Sequence, residues 1–412
     1  MLKLLQAEAE DAISRCIRCG FCLESCPTFV ETGEETESPR GRIYLVRSAQ
    51  EGSITWKDVR PHLSRCLGCL ACSTACPSGV DYETIFEFAR SELENQHPNV
   101  TKRFLLRSLT SRSLIKAQLK LGKLTPGSRI PKLLSKQISG RAPEVDKPQP
   151  QIDNLPPLEV TDLPPYRGEV YLLRGCVMDI LYRRVHSATE RLLERIGFRV
   201  RPVDAGCCGS LHAHNGYLSK ATSLALGVTR AFANESIPVI VNSAGCGNTM
   251  KHYGRLLGAK GEAFSRRVFD ASEFLLEHGL KDVLATSARL DIKATYHDAC
   301  HLAHGQGVRT PPRELIQSIP NLTYTELPES DMCCGSAGIY NVTQPAMARI
   351  LLERKYGNVA ATGAEIIATG NPGCHAWIAQ AAREHGNRVQ VLHTMELLEA
   401  SFSGLPSASN NP

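Results

Sequence analysis

Two identical runs of cysteines near the amino terminus constrain the fold of this chain more than any other feature. Each run reads Cys-x2-Cys-x2-Cys-x3-Cys-Pro, ending at Pro27 in the first copy and at Pro77 in the second. In paired runs of this kind, three cysteines surround one [4Fe-4S] cube and the fourth ligates the other cube. Structural zinc sites usually have two Cys-x2-Cys pairs instead of runs of four, so this spacing favours iron-sulfur clusters over zinc.

The sequence therefore predicts two [4Fe-4S] clusters with crossed ligand sets. The expected ligands are Cys16, Cys19, Cys22 and Cys76 for cluster 1, and Cys66, Cys69, Cys72 and Cys26 for cluster 2. Because each run donates its fourth cysteine to the neighbouring cube, the two clusters should lie close enough to exchange electrons.

The segment between the two runs has the signals of a helix. Ser38 is a suitable cap, Pro39 fits the first turn, and Gly52 follows the predicted end. We therefore expect residues 1–100 to form an α-helical ferredoxin domain. Arg40 and Arg42 on this helix could compensate the negative charge of the clusters, or could simply belong to a solvated helix face.

A basic linker is predicted at residues 101–167. Residues 101–150 contain twelve Lys or Arg, interleaved with apolar residues, against only Glu144 and Asp146. Prolines then accumulate up to Pro165, which is typical of an extended boundary between domains. Such a segment is either a solvated connector or a surface for an acidic partner or an anionic membrane.

The other eight cysteines indicate an internal duplication. They form two similar sets: Cys176, Cys207, Cys208 and Cys246, then Cys300, Cys333, Cys334 and Cys374. Apolar runs such as 169–173, 239–241 and 366–368 precede cysteines and are followed by helical patterns, which predicts alternating strands and helices in a parallel sheet. The fold class we expect is multidomain: the α-helical ferredoxin domain, then a duplicated α/β cysteine-rich domain at 168–285 and 286–404.

The loops that follow parallel strands converge on a crevice where ligands usually bind. Each set of four cysteines could hold a further iron-sulfur cluster or a zinc ion, or could include a dithiol that forms a vicinal disulfide. His297 and His301 flank Cys300 and are the best candidates for donors that support metal ligands. His212, His214 and Asp298 are also nearby in sequence, and each histidine could merely bond a loop backbone.

Several motifs are missing. The chain has no Gly-x-Gly-x-x-Gly after a strand, no phosphate-binding loop and no Gly-x-Ser-x-Gly elbow. Iron-sulfur cubes pass single electrons, whereas oxidation of an organic substrate usually needs an organic cofactor that accepts a hydride. We therefore assign no catalytic residue and expect the flavin on a partner subunit.

The charge pattern at the amino terminus does not fit a signal peptide, and no run approaches the roughly 18 apolar residues of a membrane span. A cytoplasmic location is expected, with peripheral contact at the inner membrane through the basic linker as an option. A net charge of +5 is slight for 412 residues and does not argue for nucleic acid.

Together, the two cluster motifs, residues 38–47, residues 205–209 and residues 333–340 resemble the iron-sulfur subunit of bacterial glycolate oxidase, which is properly a glycolate dehydrogenase. The resemblance covers nearly the whole chain. It implies a two-cluster ferredoxin domain joined to two cysteine-rich domains, and FAD-binding partner subunits that oxidise glycolate to glyoxylate. It also implies transfer of electrons to membrane quinone or another acceptor.

The cysteine-rich halves also resemble those of heterodisulfide reductase, whose motif ends in Cys-x-x-Cys. Here Cys246 and Cys374 lack that last cysteine, so neither a noncubane cluster nor disulfide reduction is expected. Iron-sulfur subunits of lactate-utilisation and anaerobic glycerol-3-phosphate dehydrogenase systems have a similar plan and are the main alternatives. A metal or redox sensor that binds nucleic acid is disfavoured because the sequence contains no recognisable reader module.

Overall fold

The ferredoxin part is entirely helical. A computed structural model describes residues 2–124, 164–386 and 388–405. The amino-terminal helices are Leu2–Ser14, Pro27–Thr32, Pro39–Gln50, Trp56–Arg65, Ala71–Thr74, Tyr82–Gln96, Val100–Thr110 and Arg112–Leu124, with a 3₁₀ turn at Glu35–Glu37. The long helix Tyr82–Gln96 packs against Leu2–Ser14 and Trp56–Arg65, so the cysteine loops are held between packed helices.

The helix between the two cysteine runs begins as its sequence predicts. Ser38 accepts a hydrogen bond from the backbone N–H of Gly41 at 2.9 Å, and Pro39 occupies the first turn. The side-chain oxygen thereby satisfies one of the amide groups that a helix start leaves without a partner. This confirms the predicted helix.

The first part of the predicted basic linker is helical and packs onto the following domain. Lys102 donates to the backbone oxygen of Asn215 at 3.1 Å, and Arg112 binds the carboxylate of Asp204 at 2.7 Å. These two basic side chains are thus engaged within the protein. Residues 125–163 of the predicted linker lie outside the described residues. Membrane contact through that segment stays a prediction.

Two four-stranded parallel sheets form the remainder, with strand orders β2-β1-β3-β4 and β6-β5-β7-β8. The strands are β1 Gly168–Leu172, β2 Phe198–Arg201, β3 Val239–Val241, β4 Val268–Asp270, β5 Lys293–His297, β6 Thr323–Tyr324, β7 Ile366–Thr369 and β8 Gln390–His393. The identical order in the two sheets confirms the duplication and the parallel strands that the sequence predicts.

Helices connect the strands in both halves. They span Val177–Leu181, Arg183–Glu194, Ser210–Ala213, Leu218–Ala231, Ala244–Lys251, Gly254–Leu257, Ala259–Ser265, Ala271–Glu277, Leu280–Ala285, Thr310–Gln317, Tyr340–Thr343, Pro345–Ala361, Pro372–Glu384 and Thr394–Ser403, with a π-helical turn at His301–Gly305. Among the described residues, no helix is both long and apolar enough to cross a membrane.

The two halves share one apolar core. Val170 and Ile240 of the first sheet belong to the same buried cluster as Tyr296 and Ile366 of the second. A hydrogen bond from Nε2 of His393 to the backbone oxygen of Asn242, at 2.9 Å, joins the carboxyl ends of β8 and β3. The strand ends of both sheets therefore meet in the same region, which brings the two cysteine sets near each other.

Candidate iron-sulfur and metal centres

The cysteines predicted for cluster 1 lie together near the surface. Cys16, Cys19, Cys22 and Cys76 line one pocket, and Cys72 lines it as well. The loop can turn around this pocket because Arg18 and Gly20 adopt left-handed backbone conformations, with φ of 59° and 91°. Cys19 is exposed and the other three are partly exposed, so this centre is open to an approaching partner.

The cysteines predicted for cluster 2 are buried. Cys66, Cys69 and Cys72 lie in the interior, and Cys26 is buried beside them. Burial raises the pKa of the Cys72 thiol, and the thiols of Cys69, Cys66 and Cys26 raise it further. Cys26 therefore lies close to the cysteines of the second run, and it also lies near Cys22 of the first.

Arg42 is a buried cation beside these thiols. The side chain is 1% exposed, and its Nη1 atom lies 3.8 Å from Sγ of Cys26. Its Nη2 atom forms an ion pair with Glu37 at 2.8 Å, and its Nε donates to the backbone oxygen of His62. Arg42 therefore does not belong to a solvated face, whereas Arg40 is partly exposed and pairs with Glu35.

In the first cysteine-rich half, the sulfur atoms of Cys176, Cys207, Cys208 and Cys246 form a contiguous row. The thiols of Cys176 and Cys208 donate hydrogen bonds to Cys207 and hold its pKa well below the usual range. Cys208 in turn interacts with Cys246. This half therefore places four sulfurs next to one another, and cysteine ligates metal as the thiolate.

The second half has a similar row of four sulfurs. Here the second cysteine of the adjacent pair, Cys334, has the lowered pKa. Thiols of Cys333 and Cys374 donate to Cys334 and hold its pKa well below the usual range. Cys300 adjoins Cys333 at the end of the row. Both halves therefore place four cysteine sulfurs next to one another.

A cavity of about 1030 Å³ lies between the two cysteine sets. Cysteines of both sets line it: Cys176, Cys207, Cys208, Cys246, Cys300, Cys333 and Cys374. Its walls also include the apolar side chains of Met178, Tyr182 and Trp377. Concave sites lined by apolar groups and a few polar or reactive ones are typical of ligand binding.

The ferredoxin domain closes one side of this cavity. Gly68, which precedes Cys69, lines the cavity, and its backbone oxygen accepts a hydrogen bond from Nε2 of His301 at 2.9 Å. Burial raises the pKa of the Cys69 thiol, and the neighbouring Cys300 thiol raises it further. The second cluster motif therefore contacts the second cysteine-rich half directly.

The structure gives the predicted polar residues different roles. His214 forms an ion pair with Glu87 at 3.2 Å, His212 bonds the hydroxyl of Thr110, and Asp298 pairs with Arg313 at 2.6 Å. His301 bonds Gly68 across the domain interface, and His297 faces the second cysteine set. Only His297 is thus placed among cysteine sulfurs.

Other residues of the site had no signal in the sequence. Arg90 is partly buried, donates to the backbone oxygens of Cys66 and His214, and lines the cavity. Arg255 binds Glu83 at 2.6 Å across the same interface. The Arg90–His214 and Arg255–Glu83 contacts join segments more than a hundred residues apart, and the spacing of motifs does not reveal such pairs.

Family comparisons agree with this division of the chain. Residues 12–80 match the model of the 4Fe-4S dicluster domain, and residues 170–251 and 294–379 each match the model of the cysteine-rich domain. Each matched cysteine-rich segment contains most of the first three strands of its parallel sheet, whereas β4 and β8 lie beyond the matches, and the dicluster match contains both cysteine runs. Iron-sulfur binding and the duplication are therefore properties of this chain.

Similar proteins cover nearly its whole length. A probable glycolate oxidase iron-sulfur subunit of Bacillus subtilis is 33% identical, over 94% of each chain. The glycolate oxidase iron-sulfur subunit of Escherichia coli is 31% identical, over 96% of this chain and 95% of the relative. Lactate utilization protein A of Oceanobacillus iheyensis is 30% identical, over 57% of this chain and 98% of the relative.

Proposed function

Because the chain belongs to the family of glycolate oxidase iron-sulfur subunits, we propose that it is the electron-transfer subunit of an FAD-dependent glycolate dehydrogenase. In this role it carries no catalytic residue of its own. Oxidation of glycolate to glyoxylate releases two electrons and two protons, and a flavin on a partner subunit accepts them. Iron-sulfur cubes then pass the electrons one at a time.

The single observation that carries this proposal is the contrast between the two cluster motifs. Cys19 is exposed, whereas Cys66, Cys69 and Cys72 are buried, with Cys69 next to Cys300. We propose that electrons enter at cluster 1, pass to cluster 2 and leave toward the cavity between the cysteine-rich halves. Each electron-transfer step then takes place between groups that lie next to each other.

The proposed ligand sets are crossed. Cys76 lines the pocket of Cys16, Cys19 and Cys22, which supports its assignment to cluster 1. Cys26 is buried close to the three cysteines of the other run, which supports its assignment to cluster 2. The domain boundaries proposed are 1–100, 101–167, 168–285 and 286–404, although the helices at 100–124 pack onto the domain that follows them.

We propose that the flavin-bearing subunit docks at the exposed edge of cluster 1. Ile17 and Phe21 are 69% and 71% exposed, and Tyr44 beside them is 55% exposed. The guanidinium of Arg18 lies over the Tyr44 ring, 5.4 Å from its centroid. Large apolar side chains exposed together are typical of interaction sites, and Arg18 would favour an acidic surface on the partner.

The test is electron transfer from glycolate in the reconstituted complex. We would purify the chain anaerobically, combine it with FAD-binding glycolate oxidase subunits, and follow cluster reduction by electron paramagnetic resonance after adding glycolate. Reduction that requires both the partner and glycolate supports the proposal. If the clusters stay oxidised with glycolate but are reduced when lactate is supplied, the substrate assignment is wrong.

The docking surface is tested in the same assay. Replacing Ile17 and Phe21 by Glu should slow cluster reduction by about tenfold or more, because an apolar anchor at an interface is worth more than about 1 kcal/mol. Iron and sulfide content should not change. The matched control is Ile350→Glu, an exposed apolar residue of helix Pro345–Ala361. Equal rates in both variants would show that the partner docks elsewhere.

Lactate-utilisation systems are the second candidate. The similarity of lactate utilization protein A covers 57% of this chain, against about 95% for the glycolate oxidase subunits. The full-length match therefore favours glycolate.

The final electron acceptor is proposed to be a quinone or another carrier. The basic linker is proposed to be the part of the chain that contacts the membrane.

The cysteine-rich halves are proposed to bind metal. Each offers four neighbouring sulfurs, which could ligate a further iron-sulfur cluster or a zinc ion. About eight iron and eight sulfide per chain would indicate two cubes, whereas about twelve or sixteen would make the duplicated domain part of the electron path.

A further inference from the structure

The two cysteine-rich halves differ at one position close to the cysteine sulfurs that are proposed to bind metal. His297 is the third residue before Cys300, and the corresponding residue before Cys176 is Leu173. Both side chains are buried, at 1% and 2% exposure. The duplication therefore gives the second half a possible nitrogen ligand that the first half lacks.

The ring of His297 is oriented as in a metal ligand. Its Nδ1 atom lies 3.0 Å from the backbone oxygen of Ser330. A carbonyl oxygen can only accept, so Nδ1 carries the proton and Nε2 keeps its lone pair. Nε2 is buried and has no hydrogen-bond partner. Histidine ligands commonly donate their second ring N–H to a backbone carbonyl in this way.

The lone pair of Nε2 points to two sulfurs. The ligand atoms of His297, Cys334 and Cys374 all lie within 4.8 Å of one another. In the described part of the chain, the other such group of His, Cys, Asp or Glu is Glu83, Glu87 and His214. Neither the ferredoxin cysteines nor the four cysteines of the first half converge this closely.

This spacing fits one ion better than a cube. Zinc-sulfur bonds of about 2.3 Å in a tetrahedron put two sulfur ligands about 3.8 Å apart. Each cysteine of a [4Fe-4S] cube binds a different iron, so its sulfurs are more widely separated. A small contraction of the observed triad would produce the zinc geometry.

Neighbouring groups support the charge of such a site. Asn371 Nδ2 donates to Sγ of Cys374 at 3.6 Å. Lys355 is 1% exposed, and its ammonium group donates to the backbone oxygens of Glu329 and Ser330. The Ser330 oxygen thus contacts both His297 and a buried cation near the thiols, which fixes the ring orientation.

We propose that the second cysteine-rich half binds a single zinc ion through His297, Cys334 and Cys374, and that the first half, where Leu173 takes the place of His297, does not share this site. The proposal rests on metal binding by the cysteine-rich halves but not on the identity of the substrate or the flavin partner. Binding releases the thiol protons, since both cysteines ligate as thiolates. Zinc has no redox chemistry, so electrons that leave cluster 2 toward the cavity would be accepted there by another group and not by the metal of this site.

The test uses the full chain purified anaerobically, with zinc and iron measured by plasma mass spectrometry after dialysis against a chelator. We expect one zinc per chain in addition to the iron. His297→Leu, which copies the residue of the first half, should lose the zinc and keep the iron and the ferredoxin resonance signals. Cys246→Ser, the control in the first half, should retain the zinc.

X-ray absorption at the zinc edge gives a readout that does not depend on activity. Mixed sulfur and nitrogen coordination is expected in the unmodified protein. If His297→Leu fails to fold, as judged by loss of the ferredoxin signals, His297→Asn is measured instead and should likewise lose the nitrogen shell. Zinc retained with sulfur-only coordination in a folded variant, or additional iron with no zinc in the unmodified protein, overturns the proposal while leaving the two ferredoxin clusters intact.

Discussion

His301 donates a hydrogen bond from Nε2 to the backbone oxygen of Gly68, at 2.9 Å, although the two residues are 233 positions apart. Gly68 precedes Cys69 of the second cluster motif, and His301 follows Cys300 of the second cysteine-rich half. Burial, and then the neighbouring His214, lower the pKa of His301 to about 4. The ring is therefore neutral near pH 7, and this neutral donor fixes the two cysteine loops against each other.

Replacing His301 by Leu should weaken this junction. The Gly68 oxygen would remain buried without its donor, which costs about 1–3 kcal/mol. We expect a lower midpoint of thermal unfolding and a changed resonance signal of the cluster held by Cys66, Cys69 and Cys72. His385→Ala serves as the control, because His385 is 47% exposed on its side chain and far from the cysteines. Equal signals in both variants would contradict the assigned contact.

The crossed ligand sets are tested by exchanging one cysteine at a time. Cys26→Ser should damage cluster 2, because Cys26 lies with the buried thiols of the second run. Cys76→Ser should damage cluster 1, whose pocket it lines. Resonance spectra of the dithionite-reduced proteins, together with iron content, distinguish the two losses. Loss of the Cys16 cluster in the Cys26 variant would show that each run holds its own cube.

Arg42 should affect both stability and reduction potential. Arg42→Gln removes one of the two arginines that lie 2.8 Å from the buried Glu37. Because Arg65 remains, the loss of stability should be smaller than the roughly 3–5 kcal/mol that breaking an isolated buried pair costs. Removing the positive charge beside Cys26 should also make cluster 2 harder to reduce, since reduction adds negative charge. Thermal unfolding and a redox titration measure the two effects.

The control for this variant is Arg47→Gln on the same helix. The Arg47–Glu51 pair is about half exposed on both side chains, and exposed pairs contribute little to stability. We expect neither the potential nor the unfolding midpoint to change appreciably. A shift of the potential in both variants would show that the effect is not local to Arg42.

Local sequence signals predict much of this fold. The helix that starts at Pro39 depends on its Ser38 cap, and β1, β3 and β7 follow from short apolar runs, so neighbouring residues determine them. The ferredoxin cysteines were recognisable because one cube imposes a fixed spacing on a single loop. In these cases the physical constraint lies within a few residues along the chain.

Contacts between distant segments were not predictable in this way. The sequence places His297 three residues before Cys300 and His301 one residue after it, yet one ring faces Cys334 and the other faces Gly68. Their directions depend on the end of β5 and on the π-helical turn that begins at His301. The sequence alone does not decide whether Arg42 lies on a solvated face, because its burial depends on how the surrounding helices pack.

Glu83 and Arg255 provide a pH-dependent test of the interface between the ferredoxin domain and the first cysteine-rich half. Glu83 accepts from Arg255 at 2.6 Å and from Nδ2 of Asn248 at 2.7 Å. Burial alone would raise the pKa of Glu83, but Arg255 and nearby histidines outweigh it and lower the pKa from 4.5 to about 2. The folded protein thus favours the carboxylate more strongly than the unfolded chain does.

A carboxyl group with a lower pKa in the folded state stabilises the fold above its unfolded pKa, and this contribution disappears as the pH falls through the folded value. For Glu83 the contribution is roughly 3 kcal/mol, complete above pH 4.5 and lost toward pH 2. The unfolding midpoint of the unmodified protein should therefore exceed that of Glu83→Gln near pH 7, and the gap should narrow steadily below pH 4.5. Loss of the clusters in acid affects both proteins, so the difference between their unfolding midpoints isolates this carboxylate.

The control is Asp291→Asn, at an exposed position, for which the difference in midpoint should not narrow in acid. A difference for Glu83→Gln that does not change with pH would mean that the Glu83 carboxylate does not hold the interface through its charge.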